Sequence, residues 1–338
     1  MHIPDGYLSP QTYLPAYAVM IPIWAVASRR LEKSLRARQV PLLALSAAFT
    51  FLIMMFNVPI PGGTTGHAVG AVLVAILLGP WASVIAVSLA LALQALLFGD
   101  GGITALGANC LNMAVIMPFT GWAVYRLIAG SSAIGSARQK IAGAIGGYVG
   151  LNMAALATAL MFGIQPLIAR DAAGRALYNP FGLKVAVPAM AIEHLLLFGI
   201  VEAVVTGLAL AYLQRSETPA IATIPTSASL SRRLGIVLVA LVLLSPLGLI
   251  LPAKFGAGSA WGEWSANEVE KLTGYIPKGI QHAENGWRAL LPDYGLPGQG
   301  DSLLITSLTY VLSAIVGVAF FMLASYGFRK FVVRRESK

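Results

Sequence analysis

The chain has 338 residues, 57% of them hydrophobic and only 11% charged, with 23 Lys and Arg against 14 Asp and Glu. Soluble domains carry about 25% charged residues, so an ordinary soluble enzyme and a disordered chain are both excluded, and an all-α polytopic membrane protein is expected. The net charge of +9 would suit nucleic acid, unless topology accounts for it.

The first ten residues, MHIPDGYLSP, hold no Lys or Arg and no cleavage pattern, so they are expected to stay uncut and to cross to the outside. His2 is chemically special. The amine of Met1, the amide of His2 and the imidazole of His2 can bind one metal through fused five- and six-membered rings. The amide must lose its proton, which strongly Lewis-acidic late divalent metals promote. Square-planar nitrogen donors point to Ni(II) or Cu(II), whereas Mg²⁺ or Ca²⁺ would want oxygens. His is too large at position 2 for Met1 to be removed, so the chelator preserves itself. The bland alternative is a histidine at a frayed terminus.

Spans of about 20 apolar residues are needed to cross a bilayer, and candidates follow at 12–28 and 41–57. Between them and the third span lies Asn57-Val58-Pro59-Ile60-Pro61-Gly62-Gly63-Thr64-Thr65-Gly66-His67, whose prolines and glycines cannot continue a helix. The third span, 67–79, ends at Gly79-Pro80 and is short. From His67 to Leu78 it would cover about 18 Å at 1.5 Å per residue, against a hydrocarbon core of about 30 Å. His67 would then lie within the bilayer depth, where irregular backbone survives only beside a cavity. A cavity open to the outside could receive the N-terminus and make His67 the fourth nitrogen, with Thr64 or Thr65 orienting the ligands. The alternative is a histidine hydrogen-bonded at a helix start.

Further spans are expected at 80–98, 105–128, 139–164 and 183–213, then at 234–252 and 302–327. Residues 214–231, rich in Thr, Ser, Ala and Pro, read as a linker. With the N-terminus outside, the inner loops hold 16 Lys and Arg (29–40, 126–140, 214–233 and 329–338) and the outer ones 7. This obeys the positive-inside rule, explains the excess charge and removes nucleic acid as a partner. The outer segment 253–301 reads as a small domain. Ser265-Ala266-Asn267-Glu268 forms a capping box, with Val269 and Leu272 on one face and Gly274 as a stop. Trp261, Trp264 and Trp287 suit packing or the membrane interface.

The segments Met1-His2-Ile3-Pro4-Asp5-Gly6, Pro61-Gly62-Gly63-Thr64-Thr65-Gly66-His67 and Phe98-Gly99-Asp100-Gly101-Gly102-Ile103-Thr104-Ala105-Leu106-Gly107-Ala108-Asn109 through Asn112-Met113 resemble the substrate-capturing membrane component of cobalt/nickel energy-coupling-factor transporters. The resemblance covers roughly 1–213. The tail, with Gly258-Ser259-Ala260-Trp261-Gly262-Glu263-Trp264 and Pro292-Asp293-Tyr294-Gly295-Leu296-Pro297-Gly298, resembles the small auxiliary component of the nickel systems, fused here. The resemblance implies a seven-helix metal-binding domain over 1–213, a cytoplasmic linker at 214–231 and a two-helix module over 232–338 carrying the extracytoplasmic segment 253–301. It implies metal ligation by Met1, His2 and His67, with Ni²⁺ favoured and Co²⁺ admitted as the transported ion. It also implies a bacterial cytoplasmic-membrane protein that is no enzyme. Its partners would be a transmembrane coupling protein and separate ATPase subunits, and the absence of any Gly-Lys dipeptide, hence of a Walker A motif, agrees with that.

Other polar residues fall in the membrane. Glu193, His194 and Glu202 lie in the seventh span and are functional candidates by default, with structural polar packing as the favoured alternative and, for His194, a buried hydrogen-bonded histidine or a transit ligand. Nine residues of regular helix would set the two glutamates on opposite faces. Asn109 and Asn112 share a face and are expected to position the metal-binding loops. Asp5 and Asp100 each precede Gly and read first as turn residues, the alternative being anions at the entrance of a cation path. Cys110 reads as packing. The alternatives to an energised importer are a stand-alone permease or channel, which would need ionisable relays along its path, and an intramembrane metalloenzyme, for which no H-E-x-x-H is present.

Overall fold

The computed structural model describes residues 1–34, 40–59, 65–214, 228–255, 264–284, 286–299 and 302–336. Among the described residues it is mainly helical, with two short strands, β1 (Val58–Pro59) and β2 (Thr65–Gly66), paired antiparallel with Val58 opposite Gly66. Six helices among the described residues are long and apolar enough to cross a membrane: Pro80–Phe98, Leu106–Ala129, Ala137–Ile168, Leu183–Leu213, Arg232–Leu251 and Leu303–Gly327. The protein is therefore an integral membrane protein of the all-α class.

The first helix, α1 (Pro10–Ser34), contains the expected 12–28 segment and tolerates Pro15 and Pro22 within it. The second, α2 (Val40–Met54), is apolar on every side and buried at almost every position. Such a helix belongs in the centre of a bundle. The third span differs from expectation. His67 does not start a helix: β2 and an extended stretch carry the chain to Gly70, which turns in the left-handed region at φ 70°, and α3 runs only Ala71–Leu78. Gly79 (φ 90°) then breaks the chain and Pro80 opens α4 (Pro80–Leu93), as the Gly-Pro pair predicts.

Three helices contain a widened π-turn, at Gln94–Phe98, Leu111–Ile116 and His194–Phe198. The first leads from α4 into the Gly99–Gly102 loop. The second separates α5 (Leu106–Cys110) from α6 (Met117–Ala129), and the third joins α9 (Leu183–Glu193) to α10 (Gly199–Gln214). Between them stand α7 (Ala137–Gly163), capped at Ser136 whose hydroxyl accepts from the Gln139 amide, and the short α8 (Gln165–Ile168). Small residues let α6 and α7 approach closely: a Cβ at Gly146 would meet the Gly121 carbonyl at 2.6 Å. That is the packing device of helices in lipid, where no hydrophobic force distinguishes helix from tail.

The expected 234–252 span is bent at Ser245-Pro246 into α11 (Ala228–Leu244) and α12 (Leu247–Phe255), since proline removes a ladder hydrogen bond. Beyond it come α13 (Ala266–Thr273), α14 (Lys278–Glu284), a single turn at Pro292–Tyr294 and α15 (Leu303–Glu336). The Ser265 capping box and the left-handed Gly274 stop are both present. Val269 is buried but Leu272 is 58% exposed, so the two do not share a buried face. Trp264 packs edge-on to Phe181, while the exposed Trp287 donates to the Leu96 carbonyl. Trp261 and most of the 214–231 linker lie outside the described residues.

The C-terminal helices are not a separate body. The Tyr310 hydroxyl donates to the Met55 carbonyl at 2.5 Å, Gly317 packs on the Phe51 ring and Gly248 on the Met55 carbonyl. All three contacts fall at the end of α2.

Candidate metal centre

The N-terminal segment is drawn inside the bundle. Met1, His2 and Ile3 are 2%, 3% and 0% exposed. Burying a chain end in an apolar interior costs several kcal/mol unless its polar groups are bonded, and here they are. Ile3 donates its N–H to Asn109 Oδ1 at 2.9 Å, and its carbonyl accepts from Asn109 Nδ2 and from the Gly102 amide. Asp5 accepts from the amides of Ile103 and Thr104 and from the Thr104 hydroxyl. Further along, the Ser9 amide donates to Gln165 Oε1, and the Tyr7 carbonyl accepts from the Asn179 amide. A side-chain amide in Asn109 can donate and accept at once, so it imitates a neighbouring strand.

This anchoring brings the chain's first atoms to His67. The Met1 amine donates to the Thr65 carbonyl at 3.2 Å, with Thr65 Oγ1 at 3.5 Å. The imidazoles of His2 and His67 stack with centroids 4.7 Å apart at 21°. His67 Nδ1 lies 3.1 Å from the Ala68 carbonyl, and its Nε2 is buried with no hydrogen-bond partner among the described residues. His2 Nε2 is in the same position. The extended stretch that presents His67 is held from behind by Glu202, whose Oε2 accepts from the amides of Val69 and Gly70. Gly66 is obligatory, because a Cβ there would run into the Phe198 ring.

Met1, His2, His67 and Thr65 thus share one buried place. Thr64 lies outside the described residues. Asn109 reaches the N-terminal segment, but Asn112 does not: its amide donates to Thr158 Oγ1 and faces Met161 Sδ on α7. The π-turn that begins at Leu111 interrupts the regular helix between the two asparagines. A π-turn likewise falls between Glu193 and Glu202 in the seventh span. His194 Nδ1 is 2.7 Å from the Met190 carbonyl and its ring packs on Phe198, so it does not join the group.

The contact of Asp100 with His2, and its support by Tyr294, could not be read from the sequence. Asp100 Oδ1 stands 2.9 Å from His2 Nδ1. Its other oxygen accepts from the Tyr294 hydroxyl at 2.5 Å and from Gln94 Nε2 at 3.3 Å. Burial would raise the Asp100 carboxyl, but the His2 charge, the hydrogen bonds from His2 and Tyr294 and the His67 charge together hold it below the usual carboxylate range. Asp100 is therefore more than the turn residue its following glycine suggests. The signal in the sequence is an anion beside the expected cation path. Among the described residues no three His, Cys, Asp or Glu side chains form a metal cluster.

Residues 2–220 match the family model "Cobalt uptake substrate-specific transmembrane region", and residues 232–334 match the PDGLE domain. The "Fused nickel transport protein NikMN" of Rhodobacter capsulatus is 48% identical over 336 residues, covering 94% of each chain. The "Probable fused nickel transport protein LarMN" of Lactiplantibacillus plantarum is 44% identical, covering 97% of each. The "Cobalt transport protein CbiM" of Chlorobium limicola is 35% identical over 48% of this chain. Among solved structures, one titled as a truncated transition metal transporter superposes with a TM-score of 0.61 at 55% identity, covering 64% of this chain and 100% of the other. The chain belongs to the cobalt uptake substrate-specific transmembrane family, and carries a PDGLE domain after it.

Proposed function

We propose that the protein captures a divalent transition metal ion at the outer side of the membrane and delivers it inward, as the substrate-specific component of an energy-coupling-factor importer. The observation that carries this is the burial of the Met1 amine and His2 against His67. In a membrane interior, two buried imidazole nitrogens without hydrogen-bond partners among the described residues are costly, and a metal ion would compensate them. The four donors are the Met1 amine, the deprotonated His2 amide, the His2 imidazole and the His67 imidazole. Asn109 holds the chain just after the chelate, and Thr65 holds the amine.

A fused chelate uses His2 Nδ1, which faces Asp100 in the described state. Loading therefore exchanges the Asp100 contact of that nitrogen for the metal. Square-planar nitrogen favours nickel over cobalt, and the relatives that match along nearly the whole chain are named as nickel transport proteins. The proposal extends to topology: seven crossings over 1–213, a cytoplasmic linker at 214–231, the 232–338 module with 253–301 outside, and the C-terminus in the cytoplasm of a bacterial inner membrane. A coupling protein and ATPase subunits on other chains would supply the energy.

The test is to extend the N-terminus by one residue that is not removed. Extension, His2→Ala and His67→Ala are each expected to abolish stoichiometric nickel in the detergent-purified protein, read by elemental analysis after dialysis. Full nickel content in the extended protein would sink the chelate.

A further inference from the structure

Asp100 joins the site to a distant part of the chain. Tyr294 belongs to the 232–334 domain and is 6% exposed. Its ring stacks on Phe98 with centroids 4.7 Å apart and meets Tyr310 edge-on at 5.1 Å. Its hydroxyl donates to Asp100 Oδ2 and accepts from Gln94 Nε2 at 2.8 Å, which leaves its hydrogen-bonding capacity filled. Around it the turn is tied down, because the Ser313 hydroxyl donates to the Tyr294 carbonyl and the Leu291 amide to the Leu97 carbonyl.

The backbone at this place is strained. Asp293 and Tyr294 have φ of 51° and 62°, the only positive values at non-glycine residues among those described. Left-handed conformations at such residues cost of order 1 kcal/mol or more each and persist where the surroundings hold them. The strain delivers the Tyr294 hydroxyl to one carboxylate oxygen.

Charge arithmetic says what that carboxylate is for. A buried site cannot carry net charge cheaply. A divalent cation with one deprotonated amide leaves a single positive charge, since the amine and both imidazoles are neutral as ligands. Asp100 cancels it. In the empty site the same carboxylate faces the His2 imidazole, 2.9 Å from Nδ1. One fixed anion therefore serves both states, without coordinating the metal.

We propose that Asp100 is the counter-charge of the metal site and that Tyr294, supplied by the C-terminal domain, is the positioning residue that holds it there. The fused domain thereby acts on metal binding through one hydroxyl. This rests on the metal-site reading above.

The test measures nickel affinity of the full chain in detergent for the wild type, Asp100→Asn, Tyr294→Phe and the double variant, together with the ligand-field absorption of bound nickel. Tyr294→Phe keeps the ring packing. Removing outer partners of metal ligands typically weakens binding about 10–100-fold, and a loss in that range is expected for Asp100→Asn. Tyr294→Phe should weaken binding less. The double variant should match Asp100→Asn, because Tyr294 acts only through Asp100. The absorption band should keep its position in all four. Wild-type affinity in Tyr294→Phe, or losses that add in the double variant, would overturn the positioning role. A shifted band in Asp100→Asn would make Asp100 a ligand and overturn the counter-charge. Should Asp100→Asn not fold, Tyr294→Phe decides alone. A wild type that binds no nickel would instead overturn the metal-site reading itself.

Discussion

At the scale of the residue, the site depends on a few side chains that supply backbone partners. Asn109 is the clearest, since it satisfies both the N–H and the carbonyl of Ile3. Its neighbour Asn112 bonds only toward α7. Asn109→Leu should therefore lower both stability and nickel affinity, with about 1–3 kcal/mol lost for the orphaned Ile3 amide. Asn112→Leu should lower stability while leaving nickel affinity unchanged. Thermal unfolding and equilibrium dialysis on the two variants check this, and equal effects on affinity would count against a specific role for Asn109. Both asparagines read alike in the sequence, three apart on one helix. What separates them is the tertiary partner each meets, Ile3 for Asn109 and Thr158 for Asn112.

At the scale of the element, glycine placement decides which helices can touch. Gly146 faces the Gly121 carbonyl, a backbone atom that cannot swing aside. Gly146→Ala is expected to force α6 and α7 apart and to cost about 1–3 kcal/mol, as overpacking does. Gly235→Ala on α11 has nothing within 4 Å of its new Cβ and should be neutral or slightly stabilising through helix propensity. Melting temperatures in detergent distinguish the two, and a neutral Gly146→Ala would refute the close approach. The third span carries a related lesson. Its apolar run suggested a helix from His67, yet Glu202 from the seventh span binds the amides of Val69 and Gly70 and holds this stretch extended. The partner lies over 130 residues away in sequence, beyond any local pattern.

At the scale of the whole molecule, the charge layout and the bundle tell one story. The loops proposed as cytoplasmic hold 16 of 23 basic residues, so a fluorescent protein fused at the C-terminus should fluoresce and alkaline phosphatase fused there should stay inactive. The reverse pattern would overturn the orientation. Polytopic helical character, the Gly79-Pro80 break, the Ser265 cap and the meeting of Met1 and His2 with His67 were all legible in the sequence. Each rests on composition, local backbone chemistry or the position of a residue beside the chain terminus. Tertiary structure alone decided that Asp100 faces His2 and that Tyr294 from the far end of the chain holds Asp100. Those facts depend on contacts between residues nearly 100 and 200 positions apart. Sequence periodicity reports which face of a helix is apolar, but not which buried polar group will find which partner when the bundle closes.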